Sequence, residues 1–505
     1  MNQFTWNEYK ELLKDTGMLT AFWDPEDDPA VQQLTYESGK VQQGCLFVCK
    51  GATFKKAYLE DALARGAVGY VSEKDFEIPG APYLLVNNIR KTMPVLAKKF
   101  YCSPNEELKI VALTGTKGKT TTAYFIKALL DEALEREGKA ESAFLSTVEV
   151  YDGVVREGSS ITTPESMELY RHFRNAVDSN ISLLTMEVSS QALKYDRVLG
   201  IPFEAGVFLN ISEDHISPVE HPDFEDYFQS KLSLFSRVKT AIINRNADHY
   251  EEICQAAQAA EQVVTFGTEL DADVFGYEIG TENGQITFRV RTENFDEKFT
   301  LAMHGIFNVE NALAAIAVGV VFGFEPADMQ AALARVQVGG RMEEYTSTDG
   351  KMHVIVDYAH NGLSFRKIFE SSAMEYPGAE RRVVFGCPGG KAINRRADMG
   401  EAVSESCVKA YLTADDPGPE KVEEICAQIA AHIDESRCRW ECIPDRAEAI
   451  EKAIAEIRAE VEGESVLLVL GKGSEHAQKV NHKSEPYESD AAVVKRILGI
   501  ESISR

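Results

Sequence analysis

The chain has 505 residues, of which 44% are hydrophobic and 26% charged, the composition of an ordinary soluble globular protein with about two to four domains. Its formal net charge of −27 argues against nucleic acid as a partner, because that binding depends on neutralising phosphates with Lys and Arg. The N-terminus is mixed and charged and the apolar runs are short, so we expect a cytoplasmic protein without membrane insertion.

Residues 1–104 contain short strand-like runs between helical stretches, and we predict a first α/β domain there. The next run, Lys109–Leu113, has strand character and leads through a Gly-rich turn into a helical pattern at Thr120–Glu137. Further elements complete a second α/β domain at residues 105–337: Ser182–Val188, Ala205–Asn210, Thr240–Asn244, residues 272–303 around the hairpin turn Asn283–Gly284, Asn308–Phe322 and Pro326–Arg335.

Gly339 and Gly340 form a candidate hinge, after which strands and helices alternate regularly. The predicted elements are His353–Asp357, Ser364–Tyr376, Arg382–Gly386, Ala397–Glu405, Ala410–Thr413, Glu420–Ile433, Arg446–Glu462 and Val466–Leu470. This alternation implies a parallel sheet with crossover helices, a Rossmann-like domain at residues 338–505. The sequence therefore predicts three α/β domains in a row.

A phosphate-binding loop is predicted at Thr114–Thr121 (TGTKGKTT), between a strand and a helix. Glycines let backbone N–H groups face phosphate oxygens, and the start of a helix adds partial positive charge. Lys119 would bridge the β- and γ-phosphates, and the Thr120 hydroxyl would coordinate Mg²⁺. Leu113 stands where the usual pattern has its first Gly. A plain tight turn would explain the glycines, but not Lys-Thr at the start of the helix.

Polar residues at two predicted strand ends extend this site. Glu187 closes a buried strand, and Asn210–His215 follows the next one, at the edge of a parallel sheet where ligands bind. Each could be a capped strand end, but beside a phosphate loop both favour a metal site. The Asn-Lys-x-Asp motif of GTPases does not occur, since Asn244 and Asp248 are one residue too far apart.

Seven motifs, in order along essentially the whole chain, together resemble the Mur ligases of peptidoglycan synthesis, and within them the branch that adds the third residue of the peptide. They are GTKGKTT, Thr162-Thr163-Pro164, MEVSSQA, FLNISEDH, FNVENA, Gly340-Arg341-Met342-Glu343 and Val356-Asp357-Tyr358-Ala359-His360. The resemblance implies an N-terminal UDP-binding α/β domain, a central P-loop ATPase α/β domain and a C-terminal Rossmann-like domain.

The resemblance also implies a reaction. ATP phosphorylates the D-Glu side-chain carboxylate of UDP-N-acetylmuramoyl-L-alanyl-D-glutamate (UDP-MurNAc-L-Ala-D-Glu), and the amine of an amino acid then displaces the phosphate to form an amide. Because these groups are negative, catalysis depends on positioning and on local positive charge from Lys119 and Mg²⁺. We expect the protein to act as a monomer.

Residue roles follow from the same resemblance. The loop residues Gly115, Thr116, Lys117, Gly118, Lys119, Thr120 and Thr121 bind ATP, with Asn308 on the adenine side and Arg341, Asp357 and His360 as contacts from the C-terminal half. Thr120, Glu187, His215 and Lys231 surround the metals, with Lys231 carbamylated into an anionic oxygen donor. By sequence alone Lys231 would be a solvated helix lysine. Because the ATP contacts lie on both sides of the candidate hinge, domain closure is expected to assemble the site.

The precursor would contact Ser38, Thr162, Thr163, Ser189 and Arg197 by the same resemblance. The usual Asp-Ser-Arg of the N-terminal domain appears as Glu37-Ser38-Gly39, so the Arg does not carry over. Lys40 is the candidate replacement.

The amino-acid substrate is indicated by the segment Asp415-Asp416-Pro417-Gly418. Relatives that add meso-diaminopimelate carry Asp-Asn-Pro-Arg, whose Arg binds the distal carboxylate. Here Gly418 stands in place of the Arg, which removes a cation, and Asp416 stands in place of the Asn, which adds an anion. Both changes favour a substrate whose distal group is an ammonium, hence L-lysine. The segment is also compatible with a simple turn. Arg396 matches the position that holds the α-carboxylate, and Glu475 one that holds an amine.

The sequence is also compatible with other amino-acid substrates and with other classes of protein. Ornithine is one methylene shorter than lysine and is discriminated only weakly, and meso-diaminopimelate is a further alternative. A folylpolyglutamate-synthase-like ligase shares the ATPase core, but the Thr-Thr-Pro segment argues against it. A nucleotide-binding regulatory protein would need none of the metal ligands.

Overall fold

The structure is a computed structural model that describes residues 4–51, 53–159, 161–214, 216–217, 220–282, 284–390, 393–481 and 483–500. The chain divides into two compact units. The first unit comprises Met1–Phe275, Arg291–Phe295 and Asn311–Met329, and the second comprises Gly276–Val290, Asp296–Glu310 and Gln330–Arg505.

The N-terminal part of the first unit is a five-stranded sheet with three helices. Its elements are α1 (Trp6–Asp15), β1 (Leu19–Trp23), β2 (Gln33–Thr35), a 3₁₀ turn (Ser38–Lys40), β3 (Cys45–Val48), α2 (Lys56–Ala64), β4 (Ala67–Ser72), β5 (Tyr83–Val86) and α3 (Ile89–Phe100). The strand order is β1-β5-β4-β3-β2, and all neighbours are parallel except β1 and β5. Thr5 and Glu8 form a capping box that starts α1.

The rest of the first unit is built on a second sheet. Its elements are β6 (Lys109–Thr114), α4 (Lys119–Arg136), β7 (Ala143–Leu145), β8 (Glu149–Tyr151), β9 (Arg156–Gly158), α5 (Ser166–Asp178), β10 (Leu183–Glu187), α6 (Ser190–Lys194), β11 (Phe203–Phe208), α7 (Phe224–Leu232), β12 (Val238–Asn244), α8 (Tyr250–Ala257) and β13 (Gln262–Gly267). The order is β13-β12-β11-β6-β10-β7-β8-β9. All neighbouring strands from β13 to β7 are parallel. Strand β8 pairs antiparallel with β7, and β9 pairs antiparallel with β8.

Strands β6, β10 and β11 are buried along nearly their whole length, as expected for parallel strands that read as apolar runs. Their register aligns Glu187 with Leu113 and Phe208 with Thr114. The carboxyl ends of the three strands, with the polar segments that follow them, therefore meet at one edge of the sheet.

Strands β14 (Val274–Glu282), β15 (Gln285–Arg291) and β16 (Asp296–Leu301) follow as neighbours in the order β16-β15-β14, and then come helices α9 (Asn308–Phe322) and α10 (Pro326–Leu333). The predicted turn at Asn283–Gly284 lies between β14 and β15, but Asn283 is outside the described residues.

The C-terminal part of the second unit is a six-stranded sheet with five helices. Its elements are β17 (Glu343–Thr346), β18 (Met352–Asp357), α11 (Gly362–Glu375), β19 (Glu380–Phe385), α12 (Asn394–Ser406), β20 (Lys409–Leu412), α13 (Val422–Ala430), β21 (Arg439–Cys442), α14 (Arg446–Glu460), β22 (Ser465–Leu470), β23 (Ala477–Val480), β24 (Lys483–Pro486) and α15 (Asp490–Leu498). The order is β17-β18-β22-β19-β20-β21, parallel except for β17, and β23 and β24 pair separately.

The α/β class and the parallel C-terminal sheet are confirmed. Strands β7, β8 and β9 were not predicted, because three-residue strands are too short to show the alternation of apolar and polar residues that marks a strand. The predicted boundaries after residues 104 and 337 remain predictions. Within the described part of the chain, no helix combines the length and apolar character needed to cross a bilayer.

Candidate active site

The phosphate loop connects the end of β6 to the start of α4. Gly118 has a φ of 82°, in the left-handed region, and a Cβ there would lie 2.4 Å from Oδ1 of Asn311, so this position requires glycine. Oδ1 of Asn210, just after β11, accepts hydrogen bonds from the backbone N–H groups of Thr116 and Lys117 at 3.1 and 2.9 Å. The loop is therefore fixed from β11, and the first turn of α4 supplies N–H groups for an anion.

Two lysine side chains converge on the carbonyl oxygen of Gly115. Nζ of Lys119 donates to it at 2.9 Å, and Nζ of Lys231, in the last turn of α7, donates to it at 2.9 Å. Lys231 is only 1% exposed, and burial together with the nearby Lys119 ammonium lowers its pKa well below the usual value. Lys231 is therefore not a solvated helix lysine, and its surroundings shift its balance from the ammonium towards the neutral amine.

The side chain of Glu187, at the end of β10, is buried and held by Thr147. Its Oε1 accepts from the backbone N–H of Thr147 at 3.0 Å, and its Oε2 from the hydroxyl of Thr147 at 3.3 Å. The Thr147 hydroxyl also lies 3.1 Å from that of Thr162. Because Glu187 aligns with Leu113 in the register, this carboxylate lies at the same sheet edge as the phosphate loop.

A magnesium ion fits this set of donors only together with phosphate. Among the described residues, no three His, Cys, Asp or Glu side chains come together as a metal site. Mg²⁺ beside a nucleotide usually takes one or two carboxylates, substrate phosphates and waters, which Glu187 and the Thr120 hydroxyl can complement. His215, predicted as a further ligand, lies outside the described residues. Its neighbour Asp214 accepts from Nζ of Lys117 at 2.9 Å.

Four of the predicted precursor contacts, Thr162, Thr163, Ser189 and Arg197, cluster at the end of β10. The Thr163 hydroxyl donates to the carbonyl oxygen of Glu187 at 3.0 Å and accepts from the N–H of Ser189 at 3.0 Å. Arg197 donates to the carbonyl oxygen of Thr163 at 3.0 Å. Its Nε is buried and has no hydrogen-bond partner among the described residues, so this arginine is not fully satisfied by the protein.

The predicted nucleotide contacts of the C-terminal half lie in the second unit. The buried Asp357 carboxylate accepts from the N–H groups of Met342 and Ala359 at 2.8 and 2.7 Å. Burial raises the pKa of Asp357, and Arg341 partly opposes that shift. The Arg341 guanidinium lies 4.8 Å from the ring centre of Tyr358.

Two further predicted contacts are held by hydrogen bonds to nearby backbone carbonyls. Nδ1 of His360 is 2.8 Å from the carbonyl oxygen of Tyr358. The buried Asn308 side chain donates to the carbonyl oxygen of His304 at 2.6 Å. Both residues belong to the second unit, whereas the phosphate loop belongs to the first.

Three predicted amino-acid contacts, Asp415, Asp416 and Glu475, form an acidic cluster around Lys472, which was not predicted from the sequence. We call this cluster the acidic pocket. Nζ of Lys472 donates to Oδ1 of Asp416 at 2.8 Å and also to Oε2 of Glu475. The Tyr358 hydroxyl donates to Oε1 of Glu475 at 2.9 Å. Burial raises the pKa of Asp415 to about 6, although Arg446 and Lys472 lower it, whereas Asp416 and Glu475 raise it further.

The turn predicted at Asp415–Gly418 is present and is itself part of the pocket. Asp416 has a φ of 49° and Gly418 a φ of 58°, both left-handed. The N–H of Gly389 donates to the carbonyl oxygen of Asp416 at 3.1 Å, and the N–H of Gly418 donates to that of Lys479 at 3.0 Å. A Cβ on Gly389 would lie 1.8 Å from the carbonyl oxygen of Pro417. Asp415–Gly418 therefore forms a turn and also contributes side chains to the acidic pocket, so the two interpretations of this segment do not exclude each other.

Arg396, the predicted α-carboxylate contact, is buried and paired with another carboxylate. Its Nη1 is 3.0 Å from Oε2 of Glu420, and its Nη2 donates to the carbonyl oxygen of Pro388 at 3.1 Å. Its Nε is buried without a hydrogen-bond partner among the described residues. Both terminal nitrogens of Arg396 are therefore already bound to acceptors of the protein.

Two family models match this chain: the Mur ligase middle domain at residues 113–319, and the Mur ligase glutamate ligase domain at residues 340–473. A UDP-N-acetylmuramoyl-L-alanyl-D-glutamate--L-lysine ligase of Enterococcus faecalis is 37% identical over 495 residues, which cover 97% of this chain and 96% of that protein. The chain belongs to the Mur ligase family. A ligase with the same name from Streptococcus pyogenes serotype M2 is 39% identical to this Mur ligase and covers 92% of it, with 93% of its own length aligned.

Solved structures share the fold of this Mur ligase. A UDP-N-acetylmuramoyl-L-alanyl-D-glutamate--2,6-diaminopimelate ligase has a TM-score of 0.69 at 23% identity, covering 98% of this chain and 99% of its own. A folylpolyglutamate synthase of Mycobacterium tuberculosis has a TM-score of 0.62 at 17% identity, covering 81% and 95%. At these identities the likeness concerns the fold alone, and the predicted Mur-type α/β fold is confirmed.

An ion-pair network that was not predicted from the sequence lies beside the precursor cluster of this Mur ligase. Glu165 pairs with Lys50, just after β3, at 2.8 Å, and with Arg197 at 2.8 Å. Nζ of Lys50 also lies 4.4 Å from the ring centre of Tyr36. Its place after a buried strand is the one signal that could have selected Lys50.

Lys40, the candidate replacement for the missing Arg, has a different environment. Its Nζ pairs with Glu37 at 2.7 Å, and 67% of its side chain is exposed. Ser38 lies in the adjoining 3₁₀ turn. Lys50, which pairs with Glu165 beside the precursor cluster, is therefore a better candidate than Lys40 to replace the missing Arg.

A second missed feature of the Mur ligase is a hydrogen-bonded chain that joins α6 to α7. The Ser190 hydroxyl is 2.9 Å from Nε2 of His221, and Nδ1 of His221 is 2.6 Å from Oδ2 of Asp226. Lys194 also donates to Asp226, at 2.5 Å. Because His221 is fully buried, we interpret this chain as the support that holds α7, and with it Lys231, against the phosphate loop.

Proposed function

We propose that this Mur ligase uses ATP to join L-lysine to the D-Glu side-chain carboxylate of UDP-MurNAc-L-Ala-D-Glu. The observation that carries the proposal is the acidic pocket. In it three carboxylates, those of Asp415, Asp416 and Glu475, surround a single buried ammonium of the protein, that of Lys472. A pocket with this charge favours a substrate whose far end is cationic. The names of the relatives from Enterococcus faecalis and Streptococcus pyogenes, aligned over nearly their whole length, support the same assignment.

The chemistry proceeds in two displacements. An oxygen of the D-Glu carboxylate attacks the γ-phosphorus of ATP, and ADP leaves. The lysine α-amine then attacks the acyl carbon, and inorganic phosphate leaves with the electron pair of the C–O bond while the amine loses a proton. Lys119 and the first turn of α4 hold the phosphates, which is mainly electrostatic and positional catalysis. Bound Mg²⁺, near Thr120 and Glu187, would supply further positive charge.

Lys231 is part of the proposal as a carbamate. A neutral amine reacts with carbon dioxide and releases one proton, and burial beside Lys119 favours the neutral form of Lys231. The product would be an anionic oxygen donor, which a hard cation prefers to an amine. The short distance from Lys231 to the loop carbonyl of Gly115 supports such a role.

The finer assignments belong to the proposal as well. They comprise ATP contacts by Asn308, Arg341, Asp357 and His360, precursor contacts by Ser38, Thr162, Thr163, Ser189 and Arg197, a metal-ligand role for His215, and amino-acid contacts by Arg396, Asp415–Gly418 and Glu475. The cytoplasmic location, the monomeric state and the domain boundaries also stay predictions.

A single assay tests the function. The protein is incubated with UDP-MurNAc-L-Ala-D-Glu, ATP, Mg²⁺ and one amino acid at a time, and the product is weighed by mass spectrometry. We expect ADP and a tripeptide product with lysine, and lower turnover with ornithine and meso-diaminopimelate. Equal or faster turnover with meso-diaminopimelate would refute the lysine assignment.

A further inference from the structure

Lys472 lies at the centre of the acidic pocket in the second unit. Its Nζ donates to Oδ1 of Asp416 at 2.8 Å and to Oε2 of Glu475, and only 1% of its side chain is exposed. Asp416 also accepts from the backbone N–H of Lys479 at 2.9 Å, and Glu475 accepts from the hydroxyl of Tyr358 at 2.9 Å. Each carboxylate is therefore held from two sides, and Lys472 is the group they share.

The charge of this trio matches one substrate ammonium. Two carboxylates and one ammonium leave a single negative charge between Asp416 and Glu475. Without Lys472 the carboxylates would repel each other, and Glu475, whose side chain is already 38% exposed, could turn to solvent. Burying an ammonium is unfavourable unless it is paired. We therefore interpret the burial of Lys472 as a means of fixing these two acids.

The backbone around Lys472 holds its side chain in this position. Gly471 and Gly473 have φ angles of 120° and 53°, which favour glycine. A Cβ on Gly471 would lie 2.5 Å from Oδ2 of Asp415, and one on Gly473 would lie 2.8 Å from the carbonyl oxygen of Gly340. The loop therefore runs directly against the third carboxylate of the pocket.

We propose that Lys472 is a positioning residue for the amino-acid substrate: it sets the spacing and the net charge of Asp416 and Glu475 so that the pair accepts one terminal ammonium. This inference rests on the proposed function and adds a specificity-determining residue to it. Lys472 does not itself contact the reacting atoms. Its effect on catalysis passes through the two carboxylates.

The test compares Lys472→Met, Lys472→Arg and a matched control, Lys479→Met. Nζ of Lys479 lies 4.0 Å from Oδ2 of Asp416, but 69% of its side chain is exposed. The KM for lysine is measured at saturating ATP and precursor. Acyl phosphate formation is measured separately by trapping with hydroxylamine, which is small and needs no ammonium pocket. Hydroxamate formation also reports whether each variant is folded.

In Lys472→Met we expect the KM for lysine to rise about tenfold or more, the effect of losing a hydrogen bond between charged groups, with hydroxamate formation within about twofold of the unaltered protein. Lys472→Arg should recover part of the loss, and Lys479→Met should change the KM by less than about twofold. An unchanged KM in Lys472→Met would overturn the proposal. A parallel loss of hydroxamate and ligation would overturn it too, because it would show a general structural role.

The proposed function fails in a different way. If the unaltered protein makes neither hydroxamate nor tripeptide from ATP and UDP-MurNAc-L-Ala-D-Glu, the ligase assignment is wrong, and the role of Lys472 falls with it.

Discussion

The phosphate loop of the first unit and the acidic pocket of the second unit bind charge in different ways. The loop is one continuous segment, Thr114–Thr121, whose shape depends on Gly118 and on the clamp from Asn210. The pocket is assembled from side chains that follow three separate strands, at Tyr358, at Asp415–Asp416 and at Lys472–Glu475. The loop relies on backbone groups together with the Lys119 ammonium, whereas the pocket relies on ion pairs between side chains.

This difference has a practical consequence for each site. A site made mainly of backbone groups is formed by consecutive residues and depends on their main-chain conformation, and it can bind the phosphate of different ligands. A site made of side chains can change its ligand through one or two substitutions. We therefore expect substitutions at the loop to abolish the reaction, and substitutions at the pocket to alter which amino acid is used.

The largest effect is expected at Lys119. Lys119→Ala removes a positive charge from the phosphate site, and the rate of ADP release should fall about a hundredfold or more. The control is Lys239→Ala, whose side chain is 56% exposed on β12. Both rates are measured with lysine and precursor at saturation. A fall of less than about threefold would show that the loop acts through its backbone alone.

A nearly equal effect is expected at Lys231. Lys231→Ala should lower the rate of ligation by nearly as much, and millimolar acetate or propionate should restore part of it by replacing the carbamate oxygens. The control is the same concentration of chloride, which matches the ionic strength without supplying a carboxylate. Full activity of the variant would remove the carbamate from the mechanism, and activity that no carboxylate restores would leave Lys231 with a structural role.

An intermediate effect is expected from exchanging two pocket residues together. Asp416→Asn with Gly418→Arg removes an anion and adds a cation, so kcat/KM for lysine should fall about tenfold to a hundredfold. Hydroxamate formation should change little, because the phosphate site is unaltered. An unchanged preference among lysine, ornithine and meso-diaminopimelate would place selectivity elsewhere in the chain.

The smallest effect is a pH dependence of the pocket. Asp415 has its pKa raised to about 6 by burial, and the facing groups are Arg446, Lys472, Asp416 and Glu475. Below that pH Asp415 is protonated and neutral while lysine stays cationic, so the attraction weakens and the KM for lysine should rise a few-fold. Asp415→Asn should have a KM that changes little between pH 5 and pH 8. A variant with the unaltered profile would assign the titration to another group.

The sequence predicted the phosphate loop and Glu187 because each depends on local order: a strand, a turn and a helix start. Lys472 and His221 were not predicted. The partners of Lys472 include Asp416, 56 residues away, and His221 binds Ser190, 31 residues away, so neither contact leaves a local pattern. The three-residue strands β7 to β9 were missed because their pairing, rather than their period, defines them.

Lys231 shows the same limit at a single residue. Its helical position resembles that of any surface lysine, and only the fold reveals that it is buried against the carbonyl oxygen of Gly115. A family resemblance could point to Lys231, whereas its lowered pKa follows from neighbours that the fold supplies. Residues whose chemistry depends on burial are therefore the ones that sequence patterns describe least well.

The loops at Gly340 and Gly473 are in direct main-chain contact. A Cβ on Gly340 would lie 2.2 Å from the backbone nitrogen of Ser474, so the two main chains touch without any side chain between them. One of these loops carries Arg341 and the other carries Lys472 and Glu475. A displacement of one loop would therefore be felt by the other, so the proposed contacts of Arg341 with ATP and of Glu475 with the amino acid would change together.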